Sequence, residues 1–239
     1  MKAKIAVCDS GVGGVAVLIK TVKKFPQFSY IYISDCKNMP YGNKEQKQLE
    51  KYSLNCIKKV HDHGADFLVV ACNTLALNCK KIFEKYCKIP VFYVLPNVEK
   101  IISLNGQKNI LFCTEKSAKS VDISRLSNIC SCKIVPCKTL AERVEKSVFE
   151  LDKIDCSFLA EFSEKCDNLF LGCTHYIFLK EKFEKILKCN CVFDGVEDML
   201  EKLQQYINPT TYLKQSFKVK FLGSGARRMK KVFLHYQNL

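Results

Sequence analysis

One stretch of this chain is written twice. Asp66-Phe67-Leu68-Val69-Val70-Ala71-Cys72-Asn73-Thr74 has a counterpart in Asp167-Asn168-Leu169-Phe170-Leu171-Gly172-Cys173-Thr174-His175, 101 residues further on (66 to 167, 72 to 173). In each copy a short apolar run ends in small and polar residues. That is the pattern of a strand buried on both faces of a parallel sheet and closing in a loop. Each copy therefore delivers a cysteine and two polar residues to the C-terminal end of a strand, the edge at which open α/β sheets bind ligands. A chain so built is constrained to two related α/β halves with a site between them.

Other segments repeat at similar spacing. Ile5-Ala6-Val7-Cys8-Asp9 is echoed by Ile110-Leu111-Phe112-Cys113-Thr114 at an offset of 105, Phe83-Glu84-Lys85 by Phe183-Glu184-Lys185, and Val91-Phe92 by Val192-Phe193. Strands alternating with helices in each half predict parallel sheets. The expected architecture is two pseudo-symmetric parallel-sheet α/β domains with the active site between them. Residues 1–97 plus about 208–239 are expected to form the first domain and 98–207 the second. Within the first, strands are predicted at Ile5–Cys8, Tyr30–Ile33 and Pro90–Val94, and a helix over roughly Lys44–His63 that Gly64 stops. The tail, from about Thr210, is read as a strand over Phe217–Leu222, a turn at Gly223-Ser224-Gly225 and a basic helix from Ala226, folding back onto the first half.

Two loops bear on chemistry. Asp9-Ser10-Gly11-Val12-Gly13-Gly14 is a glycine-rich turn between strand and helix, and its backbone N–H groups at a helix N-terminus suit a carboxylate or phosphate. The glycines fall as GxGG rather than as the dinucleotide GxGxxG. Asp9 at the strand tip suits a site that handles an ammonium group or orients a thiol. Met39-Pro40-Tyr41-Gly42 reads as a turn, with Tyr41 taken first as an aromatic packed on the helix below and second as a ligand contact. Ser117 and Ser120 are read as lying in a loop where the first half has glycines.

Composition excludes several classes. Over 239 residues, 48% hydrophobic and 26% charged residues are ordinary for a soluble globular protein. No apolar run approaches the roughly 18 residues of a membrane span. The N-terminal MKAKIAVCDSGVGG passes straight into a strand and glycine loop, so no signal peptide and a cytoplasmic location are expected. The 15 cysteines are odd in number and contain no CxxC, the nearest pairs being Cys130-x-Cys132 and Cys189-x-Cys191. Neither a disulfide framework nor a bound metal is expected. Cys36, Cys56, Cys79, Cys87 and Cys156 are read as small core or surface residues. The net charge of +14 is spread over predicted helices, for example Lys20, Lys23 and Lys24, or Lys80, Lys81 and Lys85. No helix-turn-helix, zinc-finger or RNP pattern accompanies it, so nucleic acid is not expected as a partner, while an anionic small molecule is compatible.

Two cysteines across one cleft suit a symmetrical task. A thiol with pKa about 8.5 needs a neighbouring acid or histidine to change protonation at neutral pH. One thiolate removing a proton from one face of a stereocentre, with a thiol donating on the other, amounts to racemisation or epimerisation without a cofactor. Asp9 and His175 lie at strand ends where they can assist. A lone cysteine at a strand end is ordinarily structural; two at matched repeat positions, followed by Asn73-Thr74 and Thr174-His175, shift that balance. A thiol–disulfide role would leave Asp9 and Asn73 without a task.

Asp9-Ser10-Gly11-Val12-Gly13-Gly14, Pro40-Tyr41-Gly42, Ala71-Cys72-Asn73-Thr74 and Gly172-Cys173-Thr174-His175-Tyr176 together resemble the signature segments of the glutamate racemase family, in order and spacing, over nearly the whole chain. The resemblance implies a cofactor-independent enzyme that acts on glutamate, commonly as a homodimer, and makes D-glutamate for peptidoglycan. It implies that Cys72 abstracts the α-proton of D-glutamate and Cys173 that of L-glutamate, with Asp9, Glu145 and His175 assisting. It further implies substrate contacts from Asp9, Ser10, Tyr41, Gly42, Asn73, Thr74, Thr174 and His175, with Thr114 and Ser117 contributed by the second domain. This chain departs from the family in having Ile177 after Cys-Thr-His-Tyr, Cys113 before Thr114, and Glu142-Arg143-Val144-Glu145 where a Pro-Leu-Val-Glu-like segment is usual. The last departure leaves Glu142 as a rival to Glu145. The alternatives are a related racemase acting on aspartate or a cyclic amide of the hydantoin type and, from another class, a nucleic-acid-binding or topoisomerase-binding regulator.

Overall fold

The computed structural model describes residues 3–162, 166–207 and 217–237, so Thr210, the expected start of the tail, lies outside the described residues. The first half runs β1 (Lys4–Asp9), α1 (Gly13–Lys24), β2 (Ser29–Asp35), α2 (Gln46–Asp62), β3 (Phe67–Val70), α3 (Asn73–Asn78), α4 (Lys80–Tyr86) and β4 (Val91–Tyr93). The second runs α5 (Val98–Ser103), β5 (Asn109–Cys113), α6 (Glu115–Ala118), α7 (Val121–Ser124), α8 (Leu126–Ile129), β6 (Cys132–Pro136), α9 (Leu140–Ser147), β7 (Asn168–Gly172), α10 (Lys180–Leu187), β8 (Cys191–Phe193) and α11 (Val196–Tyr206). The tail adds β9 (Val219–Ser224) and α12 (Ala226–Tyr236).

All pairings are parallel, and the two sheets have one order. The first reads β4-β3-β1-β2-β9 and the second, taken from its other edge, β8-β7-β5-β6. Strand for strand the orders match, with β1 equivalent to β5 and β3 to β7; β9 is the addition. The central strands are largely apolar because helices cover both faces: Phe67–Val70 and Asn168–Gly172 are buried throughout, Asn168 being the one polar residue among them. β1 and β3 pair with Cys8 beside Val70, and β5 and β7 with Cys113 beside Gly172. Asp9 and Cys72 thus leave neighbouring strands on one side, as Thr114 and Cys173 do on the other.

The halves share packing. Val17 and Leu18 of α1, Val144 of α9, Tyr176 and Leu179 beyond β7, and Met229 and Phe233 of α12 belong to one buried apolar cluster. Each such side chain contributes on the order of 1.5–3 kcal/mol on burial. The two connections between the sheets run side by side, with Asn97 Nδ2 donating to Asp198 Oδ2 at 2.6 Å. Gly195 has φ +73°, and a Cβ there would lie 1.9 Å from the Leu95 carbonyl oxygen.

Three local readings need correction. β6 was not foreseen: Cys132-Lys133-Ile134-Val135-Pro136 is a half-exposed edge strand carrying a charge and a proline, so its apolar signal is weak. β9 continues through Ser224, placing Gly223 inside the strand at φ +92°, where a Cβ would meet the Ser34 carbonyl oxygen at 1.9 Å. Ser117 lies in α6 rather than in a loop, because Thr114 caps that helix by accepting from the Ser117 N–H at 3.2 Å.

Candidate active site

The C-terminal strand edges face each other across a narrow cavity. Ser10, Tyr41, Gly42, Cys72, Asn73 and Thr74 line it from one half, and Thr114, Ala141, Cys173, Thr174 and His175 from the other. Its volume is about 20 Å³, room for about one water. A larger cavity of about 310 Å³ lies among Leu95, Pro96, Asn97, Val98 and Gly195, but neither Cys72 nor Cys173 lines it.

On the second-half side the side chains form a chain of contacts. Cys173 precedes the 3₁₀ turn Thr174–Leu179, which brings His175 back toward it. His175 Nδ1 lies 3.7 Å from Cys173 Sγ, and His175 Nε2 lies 2.9 Å from Glu145 Oε2. All three are buried. Burial opposes protonation of His175, yet the bonds to Cys173 and Glu145 outweigh it and hold the imidazole well above its ordinary value. Burial likewise opposes ionisation of Glu145, but His175, the Val12 N–H and Arg228 outweigh it and bring the carboxyl below the usual range.

The first-half side is arranged differently. Cys72 stands at the N-terminus of α3, where the N–H groups of Leu75 and Thr74 favour the thiolate; burial and the Asp9 charge outweigh them and push the thiol up. Asp9 accepts from the Gly11 N–H at 3.0 Å and, across the interface, from Thr174 Oγ1 at 3.1 Å. Burial raises the Asp9 carboxyl despite His175 nearby. Asn73 Nδ2 donates to the Val94 carbonyl at 3.0 Å, and Asn73 Oδ1 is buried without a partner among the described residues.

Thr74 and Thr114 line the remaining wall, and Ser117 is buried behind Thr114 rather than on the cavity. Thr114 Oγ1 donates to Ser117 Oγ at 2.9 Å, and Thr74 Oγ1 lies 3.2 Å from Thr114 Oγ1. The Tyr41 ring stacks on Tyr52 with centroids 5.0 Å apart, and its OH donates to Asp35 Oδ2 at 2.7 Å. Its side chain therefore packs on α2, and Tyr41 and Gly42 also line the cavity.

The expected anion site at the glycine loop is filled by the protein itself. The Val12 N–H donates to Glu145 Oε2 at 2.7 Å, and a Cβ on Gly11 would lie 2.1 Å from that oxygen. A Cβ on Gly13 would lie 2.3 Å from Thr174 Oγ1. These glycines let the loop meet the opposite half directly. Of the two candidate acids, Glu145 turns into this contact, whereas Glu142, one helical turn earlier, is half-exposed and pairs with Lys146 at 2.7 Å. The sequence did not single out Arg228, whose Nη1 donates to Glu145 Oε1 at 2.8 Å. The available signal was scarcity: this lysine-rich chain has only 4 arginines, and arginine suits two-point carboxylate recognition.

No family model matches the chain. Full-length relatives do. The chain is 31% identical over 236 residues to a glutamate racemase of Clostridium acetobutylicum, covering 92% of this chain and 91% of that protein. It is 31% identical over 211 residues to a glutamate racemase of Aquifex pyrophilus, covering 85% and 83%. Among solved structures, a glutamate racemase from Campylobacter jejuni superposes with a TM-score of 0.81 at 25% identity over 99% of this chain and 98% of that one.

Proposed function

The chain belongs to the glutamate racemase family, and from that membership we propose that its two halves interconvert L- and D-glutamate by proton transfer between two thiols. One observation carries the mechanism: Cys72 and Cys173 end equivalent strands and line the same cavity from opposite halves. With D-glutamate bound, the Cys72 thiolate takes the Cα proton, and the C–H electron pair passes into the α-carboxylate. The Cys173 thiol then gives its proton to the opposite face of Cα. The products are L-glutamate, a Cys72 thiol and a Cys173 thiolate, and the L-to-D direction reverses each step.

Each thiol has its own partner for resetting. His175 Nδ1, at 3.7 Å from the Cys173 sulfur, returns or accepts that proton, and Glu145 holds the ring from the far nitrogen. Asp9 serves the Cys72 side, where its burial-raised carboxyl lies closer to the working pH than an exposed aspartate would. For the substrate ammonium, the unpaired Asn73 Oδ1 and the Asp9 carboxylate are acceptors. The hydroxyls of Thr74, Thr114 and Ser117 and the Tyr41-Gly42 backbone suit its carboxylates. A cavity of about 20 Å³ is smaller than glutamate, so substrate binding is accompanied by separation of the two sheet edges.

Independence from metals and cofactors belongs to this proposal, as do a homodimer, a cytoplasmic site of action, D-glutamate supply for peptidoglycan, and a division into 1–97 plus 208–239 and 98–207. The decisive test is incubation of purified protein, without added cofactor, with L-glutamate in D₂O. Deuterium at Cα and decay of optical activity to zero are expected. Exchange on aspartate but not on glutamate, or no exchange on either, would sink the proposal.

A further inference from the structure

The element without a counterpart in the repeat reaches the Cys173 side of the site. Arg228 stands in the first turn of α12, in the tail that adds β9 to the first sheet. Its Nη1 donates to Glu145 Oε1 at 2.8 Å, and its Nη2 donates to the Glu145 backbone carbonyl. One guanidinium therefore grips both the carboxylate and the backbone of α9. A planar fork holds both acceptors at a fixed angle, which a freely rotating ammonium does not. With Oε1 occupied, Oε2 is left for the Val12 N–H at 2.7 Å and His175 Nε2 at 2.9 Å.

We propose that Arg228 is a positioning residue for racemisation: by fixing the rotation of the Glu145 carboxylate it aims Oε2 at His175 and so orients the imidazole toward the Cys173 sulfur. The inference rests on the racemase reading of the site. It makes the tail helix part of the catalytic apparatus, acting across the boundary between halves. The groups around Glu145 are His175 from the turn after β7, Asp9 from the tip of β1, Tyr32 from β2, Cys36 beyond β2, and Arg228. Burial and the Asp9 charge favour the neutral acid, while His175, the Val12 N–H and Arg228 favour the carboxylate. Arg228 is 37% exposed, so solvent screens part of its effect.

The experiment compares Arg228→Gln, Arg228→Lys and, as a charge control, Arg227→Gln, which alters an exposed neighbour on the same helix. Two readouts are taken: the pH profile of kcat/KM for L-glutamate, and the proton NMR signal of the hydrogen-bonded imidazole N–H. With only 4 histidines in the chain, that signal is assignable through His175→Ala. Arg228→Gln is expected to lower kcat/KM about tenfold, to move the acidic limb up by about one pH unit as Glu145 holds its proton longer, and to abolish the N–H signal. Arg228→Lys keeps a charge but loses the second contact, so its loss is smaller and its acidic limb stays near the wild-type position. Arg227→Gln stays within about twofold. An unmoved limb with the signal retained in Arg228→Gln overturns the proposal. So does an Arg228→Lys enzyme with unaltered kinetics, which decides the matter even if the glutamine variant does not fold. If the wild type fails to racemise glutamate while the N–H signal still responds to Arg228→Gln, the grip stands and the racemase reading falls.

Discussion

Cys72 leads into helix α3 and has an aspartate as its acidic neighbour, whereas Cys173 leads into a 3₁₀ turn and has a histidine at 3.7 Å backed by a glutamate. The strand orders around them match, and both sulfurs face one cavity. The repeat has therefore kept the backbone that delivers the thiols and let the surrounding acid–base groups diverge. Around Cys72, burial and a neighbouring negative charge work against the thiolate, relieved in part by N–H groups at the start of α3. Around Cys173, burial works against the imidazolium of His175, and the contacts with the sulfur and with Glu145 outweigh it. On the two-base reading proposed above, enantiomeric substrates would meet two unlike bases.

The bluntest way to break this comparison is to remove each sulfur. Cys72→Ser and Cys173→Ser are each expected to reduce racemisation by on the order of 10⁴-fold, because serine is too weak an acid to supply the base. Each variant keeps one working face. Given a glutamate analogue with a leaving group on Cβ, Cys173→Ser should eliminate it from the D-enantiomer only, and Cys72→Ser from the L-enantiomer only. Circular dichroism follows the racemisation and product chromatography the elimination. Full racemisation by either variant would remove the two-thiol mechanism.

Replacing the assisting groups tests whether the sides differ in function as well as in surroundings. Asp9→Asn and His175→Ala are expected to lose roughly 10²-fold, the lower end for a positioned proton transfer. The ratio of the two kcat/KM values stays fixed, since the enantiomers have equal free energy. The asymmetry must therefore show in the individual kcat and KM values and in the solvent isotope effects of the two directions. Equal losses in every parameter from both variants would show the two sides to be interchangeable.

Much of this arrangement is legible in the sequence alone. Apolar runs ending in Cys-Asn-Thr and Cys-Thr-His mark parallel strands and their functional ends, because burial on both faces leaves little choice of residue. What escaped the sequence depends on long-range burial. Glu142 and Glu145 lie three apart on one helix, so periodicity hardly separates them; only the approach of Val12 and His175 buries one and leaves the other in solvent. Arg228 is 83 residues from Glu145 and one of two adjacent arginines on a basic helix, so scarcity marks the pair but neither which of the two acts nor what it meets. β6 escaped because an edge strand tolerates the lysine and proline that a central strand excludes.

The two glutamates sharpen the comparison at smaller scale. Glu145→Gln keeps the shape but not the charge behind His175, and about a tenfold loss in kcat is expected, with the acidic limb of the pH profile displaced. Glu142→Gln removes only an exposed pair with Lys146, which is worth well under about 1 kcal/mol, and should leave kinetics within about twofold. Steady-state assays on both enantiomers settle it. A larger effect from Glu142→Gln would assign the assisting acid to the wrong turn of α9.

The smallest expected effect is on stability, and here the two sides should differ in sign. His175 is held above its ordinary pKa in the folded protein, so its contribution is fully present below the unfolded value of about 6.5 and is lost as pH rises through the folded one. Glu145 is held below its ordinary value, so its contribution is present above about 4.3 and is lost as pH falls through the folded one. Both therefore stabilise the fold together between about pH 4.3 and 6.5. Asp9 behaves oppositely: burial raises its carboxyl, so ionising it costs the folded state stability as pH rises past about 3.9. Near pH 6, His175→Ala should lower the unfolding temperature and Asp9→Asn should raise it, each by a few degrees, at about 2–4 °C per kcal/mol for a chain of this length. The His175→Ala deficit should shrink as pH is raised, while the Asp9→Asn gain should disappear only in acid. Thermal unfolding followed at several pH values reads both curves. If Asp9→Asn destabilised the protein at neutral pH, its bonds to Gly11 and Thr174 would outweigh the cost of burying its charge, and the first-half acid would be structural support as much as a proton acceptor.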